Sequence, residues 1–175
     1  QGGITIVSPT TSGAYLMFAD GTSGNERYRG YIEYSQTNDD LNFATAGSFR
    51  MKINSSGIVT MPSQPAFTCS GITNTASSGA TSNANEVITF LNVNINNGSH
   101  FNNSNGRFTA PVAGLYYFAI SFLLDDNGNG QGSVAIRKNG TYVNGSSAYV
   151  VGQNHSSYLQ VSSSVIISLA ASDYI

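Results

Sequence analysis

The stretch NGRFTAPVAGLYYFAISFLL, Asn105 to Leu124, holds the longest apolar run in an otherwise Asn- and Ser-rich chain. It lacks the three-to-four-residue spacing of an amphipathic helix, and Pro111-Val112-Ala113-Gly114 interrupts it with a turn. Two strands result, Arg107 to Ala110 and Leu115 to Leu124. On the longer one the even positions Tyr116, Phe118, Ile120, Phe122 and Leu124 make one continuous apolar face. The odd positions Leu115, Tyr117, Ala119, Ser121 and Leu123 are too apolar for a face that meets water. The even face is therefore expected to fill a core, and Leu115, Tyr117 and Leu123 to pack against another copy of the chain.

The segments that follow read the same way. In Tyr158 to Leu169 the odd positions Leu159, Val161, Ser163, Val165, Ile167 and Leu169 give a period of two with one buried face. Val134 to Lys138 runs into Asn139-Gly140 and leaves through Thr141 to Val143. That pair is the strongest short hairpin signal, because both central residues of a type I′ turn need positive φ.

Toward the N-terminus, Ser70 to Asn85 is a polar loop without periodicity. Met61-Pro62-Ser63-Gln64-Pro65 cannot continue a central strand, since proline lacks the N–H that a ladder requires. A domain boundary is placed there, giving residues 1–61 and 62–175. The first region reads as short strands at Ile4 to Val7, Tyr15 to Ala19, Tyr31 to Tyr34, Leu41 to Ala44, Phe49 to Ile53 and Ile58 to Met61. Turn signals such as Asn38-Asp39-Asp40 and Asn54-Ser55-Ser56-Gly57 separate them. A region this short buries little surface alone and is expected to lean on copies of itself.

Composition narrows the function. Only 9% of residues are charged and the net charge is -2, so nothing attracts a polyanion and nucleic acid is not an expected partner. No apolar run approaches a membrane span, so no membrane insertion is expected. Cys69 is the only cysteine, which excludes an intrachain disulfide, and it is read as a small half-buried residue. Gln1-Gly2-Gly3-Ile4 resembles neither a signal peptide nor a natural start, so the sequence is expected to be a fragment of a longer chain.

Phe90, Val93, Asn96, Phe101, Gly106, Phe108, Pro111, Gly114, Tyr116 and Phe118 stand in an order and spacing that resembles the C1q domain, the globular head of the C1q and tumour-necrosis-factor superfamily. Pro65-Ala66-Phe67, Lys138-Asn139-Gly140 and Leu169 to Tyr174 are similar to further parts of that domain. The resemblance implies an antiparallel jelly-roll β-sandwich of ten strands that forms trimers and binds ligands on outer loops or at the trimer apex. Ala110 stands where the family often has Cys, and Ser172 where it has Gly before Asp173. The family also continues for about two strands past the position of Ile175, so the head is expected to be truncated, or completed by a partner strand. Residues 1–61, above all Phe49 to Val59, resemble the β-rich segment near the ends of bacteriophage tail fibres, which are trimeric.

Candidate chemistry is sparse. Asp125, Asn127 and Asn129 occupy the first, third and fifth places of a calcium-type loop, with Gly130 sixth. The twelfth place, where a bidentate Glu belongs, is Ile136. They are a weak candidate metal site, with a plain hairpin turn as the alternative, and no other cofactor is expected. The adjacent carboxylates Asp39-Asp40 and Asp125-Asp126 read as turn residues, while Glu26, Glu33 and Glu86 remain as unselected acids. His100 and His155 are the only histidines, and no nucleophile elbow occurs, so no catalytic residue is expected. Asn144, Tyr149, Asn154, His155 and Tyr158 are candidate receptor contacts, since aromatic faces and amides suit sugars.

The expected protein is all-β and homotrimeric, a virion tail-fibre segment whose head binds a host-surface glycan or protein and whose shaft meets other tail proteins. A structural collar, a bacterial surface or spore adhesin and a polysaccharide-cleaving enzyme are the alternatives.

Overall fold

Alternation between apolar and polar residues, punctuated by positive-φ turns, governs nearly every element. The computed structural model describes residues 2–72, 87–125, 131–151 and 158–175. The chain divides into two compact units, Gln1–Gln64 and Pro65–Ile175. No helix among the described residues is long and apolar enough to cross a membrane.

The N-terminal unit is a five-stranded antiparallel meander: β1 (Gly13–Phe18), β2 (Gly30–Ser35), β3 (Asp40–Thr45), β4 (Ser48–Ile53) and β5 (Val59–Thr60), each paired with its neighbour in sequence. A 3-10 turn, Gly24–Tyr28, joins β1 to β2. The β4–β5 turn forms because the Asn54 side-chain carbonyl accepts from the N–H groups of Ser56 and Ile58, at 3.0 and 2.9 Å, while Gly57 takes φ +78°. Between β3 and β4, Ala46 and Gly47 both adopt positive φ, the geometry of a two-residue hairpin.

The register gives the two faces of this sheet unlike character. Leu16, Ile32, Phe43 and Met51 line one face beside Tyr34, Leu41, Ile53 and Val59. The opposite face carries Tyr15, Glu33, Asn42 and Lys52 in one row and Met17, Tyr31, Ala44 and Phe49 in the next.

Some sequence expectations need correction here. Ile4 to Val7 is not a strand, and Ile4 is 94% exposed; with no ladder partner an extended segment gains no hydrogen bonds. Ile58 to Met61 shortens to β5, because Met61 already accepts the Gln64 N–H of the next turn. Asp39 and Asp40 are not both turn residues. Asp39 sits at φ +53° and accepts from the Tyr34 hydroxyl, whereas Asp40 enters β3, is buried and pairs with Lys52.

The C-terminal unit is built from antiparallel ladders. β6 (Ala66–Ile72) pairs with β7 (Phe90–Asn97), and β8 (Phe101–Asn102) with β9 (Arg107–Phe108). β10 (Gly114–Asp125) pairs along its length with β13 (Tyr158–Leu169), and β11 (Gln131–Lys138) with β12 (Thr141–Val151). β6 extends to Ile72, into what reads as loop from sequence, and the remainder of that loop lies outside the described residues. The strand expected at Arg107 to Ala110 narrows to β9, with Thr109 bridging Tyr174.

Phe101, Phe108, Ala110, Phe118, Ile136, Ile167 and Leu169 form the core, all buried, drawn from both long ladders, so two layers close on one interior. Phe67 stacks on Phe101 at 4.6 Å and on Phe108 at 5.3 Å between ring centroids, and Phe108 meets Phe118 edge-on at 5.5 Å. Cys69 packs half-buried at the margin, and burial raises its thiol pKa. Asn139 and Gly140 take φ +51° and +83°, as the type I′ reading requires.

Candidate functional site

The outer face of β10 and β13 follows from the strand period. With Phe118 buried and Tyr116 and Ile120 against the core, the odd residues of β10 point away. Leu115, Tyr117 and Leu123 are 76%, 68% and 62% exposed, and Ile166, directly opposite Tyr117, is 67% exposed. Ala119, Ser121, Ser162 and Ser164 fill the middle of this face, so the exposed surface is small-residue in the centre and apolar toward both ends.

The candidate receptor residues are spread rather than gathered. Tyr149 lies opposite Ser133 on the outer face of the β11–β12 ladder. Asn144 belongs to a bulge in which Val143 to Ser146 oppose the single residue Ile136. Ser146 locks that bulge: its hydroxyl lies 2.9 Å from the Ile136 carbonyl, 2.8 Å from the Val143 carbonyl and 3.2 Å from the Ile136 N–H, with no exposed surface. Tyr142, opposite Arg137, shares the outer face with Tyr149. At about 3.4 Å per residue the two rings stand about 14 Å apart along the ladder. The Arg137 guanidinium covers the Tyr142 ring at 4.1 Å. Tyr158 opens β13 opposite Asp125, the last residue of β10. Asn154, His155, Asn127 and Asn129 lie outside the described residues, so Asp125 alone of the calcium-type loop is placed. Among the described residues no three His, Cys, Asp or Glu side chains are grouped to hold a metal ion. His100 packs its ring edge-on against Phe108 at 6.3 Å.

Two sequence motifs that stand far apart in the chain meet in space. Asp173 accepts from Lys138 Nζ at 2.8 Å, from the Asn139 side-chain amide at 2.7 Å and from the Ala170 N–H at 2.8 Å. These bonds, the Lys138 one first, hold its carboxyl at about 2, below the usual carboxylate range. The Asn139 carbonyl oxygen of the side chain in turn accepts from the Tyr174 N–H at 2.9 Å. The hairpin turn is thereby tied to the end of the domain.

One polar arrangement of the N-terminal unit escapes the sequence reading. Glu33, only 9% exposed, accepts from the Tyr15 hydroxyl at 2.7 Å and from the Asn42 amide at 3.3 Å. The hydrogen bond to Glu33, and burial next, push the Tyr15 phenol up to about 12. Beside it a cleft of about 570 Å³ opens between Tyr15, Tyr28, Tyr31, Asn25 and Arg29. Its residues come from β1, from the 3-10 turn and the start of β2, and from Ala46 and Gly47 of the β3–β4 turn, so no short motif announces it.

The C-terminal unit is thus a jelly-roll module with a bare apolar face. The C1q domain model matches residues 66–175, and the chain belongs to the C1q-domain family. Domains of this family are non-enzymatic binding and structural modules that typically form trimers. No match to the chain is found among curated proteins.

Proposed function

We propose that this chain is a homotrimeric attachment module, the distal segment of a virion tail fibre whose C1q-type head engages a host-surface glycan or protein. The observation that carries the reading is the exposed band of Leu115, Tyr117, Ile166 and Leu123, which three copies would cover. The likeness of Phe49 to Val59 to tail-fibre segments supports the virion setting. Tyr149 on the outer face of the β11–β12 ladder and Asn144 on its locked bulge are both exposed and lie on a different ladder from that band, so in this reading they remain available to a receptor. Three weak contacts then combine by avidity.

The test is competition. Purified chain in excess is expected to block adsorption of the virus that carries it, and the double variant Asn144→Ala, Tyr149→Ala to block at least about tenfold less while keeping its trimer mass. Absence of blocking by the unaltered chain overturns attachment. Equal blocking by the double variant removes these two residues from the contact.

A further inference from the structure

The N-terminal sheet has one face that is apolar along its length and another that mixes aromatic with polar residues. Its apolar face carries Leu16, Ile32, Phe43 and Met51 with their neighbours. The opposite face carries the cleft bounded by Tyr15, Tyr28, Tyr31 and Asn25, so covering the apolar face leaves the cleft open. At about 570 Å³ it falls among small-ligand pockets in size.

Its walls are fixed in advance. Tyr15 is pinned through its hydroxyl to Glu33, and its ring meets Tyr31 edge-on at 5.8 Å. Tyr31 is braced from the other side by Phe49 at 6.0 Å. Rings held this way lose little freedom when a ligand arrives. Among the described residues the Tyr28 and Tyr31 hydroxyls and the Asn25 amide make no side-chain hydrogen bond, so donors and acceptors line the mouth.

Charge selects the ligand. Arg29 is compensated by Asp20 at 3.4 Å, and Arg27 lies over the Tyr28 ring at 5.5 Å. Glu33, bonded to the Tyr15 hydroxyl, adds negative charge beside the cleft, so the two arginines are offset and leave no surplus cation to favour an acidic sugar. We infer that this cleft binds a neutral hexopyranose unit of a glycan, its C–H face against the tyrosine rings and its hydroxyls on Asn25 and the phenols. The site lies outside the C1q domain and is independent of the head surface proposed above.

The experiment is saturation-transfer NMR on the full chain with the methyl glycosides of glucose, galactose and mannose, and with glucuronic acid. At least one neutral glycoside is expected to bind in the millimolar range, more strongly than glucuronic acid. Tyr28→Ala and Asn25→Ala, both at exposed positions, are expected to weaken it about five- to tenfold with unchanged melting temperature. Tyr31→Phe keeps the ring packing and tests the hydroxyl alone, with a smaller loss expected. Saturation of no neutral glycoside, preference for the uronic acid, or equal binding by Tyr28→Ala and Asn25→Ala each overturns the site.

Discussion

Replacing Tyr117 by glutamate is the sharpest test of the proposed trimer. Full burial of a large apolar side chain is worth about 1.5–3 kcal/mol. Leu115, Tyr117, Leu123 and Ile166 keep roughly two-thirds to three-quarters of their surface exposed in the single chain. Each then has about 1–2 kcal/mol to gain on association, or about 4–8 kcal/mol per chain from the band. Tyr117→Glu removes about 2 kcal/mol of this and forces a carboxylate out of water, at a cost of several kcal/mol more in each of three chains. No plausible protein concentration restores such a loss. Light scattering on a dilution series should give three times the 18.4 kDa chain mass for the unaltered protein and a single chain mass for Tyr117→Glu. Tyr149→Glu, 61% exposed on the other ladder, should stay trimeric. A monomeric unaltered protein, or a Tyr117→Glu variant of unchanged mass, would refute the reasoning.

Phe108→Ala should cost about 3–5 kcal/mol in urea unfolding, because the ring is 3% exposed and meets Phe67 and Phe118; a loss below about 1 kcal/mol would remove it from the centre of the core. Asp173 is held at about 2 against an ordinary 3.8, so its contribution is complete above the ordinary value and disappears as pH falls through about 2. Melting temperature should drop across that window, and Asp173→Asn should flatten this part of the profile. Tyr15 is held at about 12, so its contribution is complete below 10 and disappears as pH rises through about 12. Ultraviolet titration of the phenols should place Tyr15 among the late tyrosines, with Tyr31 and Tyr34 also raised, and Glu33→Gln should bring the Tyr15 step earlier; an unchanged set of late steps would detach Tyr15 from Glu33.

Period-two patterning made the C-terminal ladders legible, since which residues of β10 and β13 face the core depends only on parity. The same rule exposed Leu115, Tyr117 and Leu123. Turn chemistry was legible where a side chain decides it, as at Asn139-Gly140 and Asn54. It failed at Ala46, where alanine accepts positive φ because the neighbouring strands impose the hairpin. Burial of Asp40, Asn42 and Glu33 was equally hidden, since carboxylates and amides read as surface until their partners from other strands are known. The tyrosine cleft was illegible for the same reason: Tyr15 and Tyr31 come together through pairing of β1 with β2 and Tyr28 joins them from the 3-10 turn, which spacing along the chain does not encode.

The pairing of Asp173 to Ile175 with Phe108 to Ala110 also sets the order in which the molecule can be made. Phe108 and Ile175 exchange two backbone hydrogen bonds of 2.9 Å, and Ala110 donates to Asp173. On a ribosome adding about 5–20 residues per second, Phe108 waits several seconds for its partner. The meander of β1 to β5 joins only sequence neighbours and can form as it emerges. During synthesis the nascent chain therefore carries a finished sheet ahead of a greasy, half-assembled head, and that interval is when a chaperone or a sister chain has most to protect.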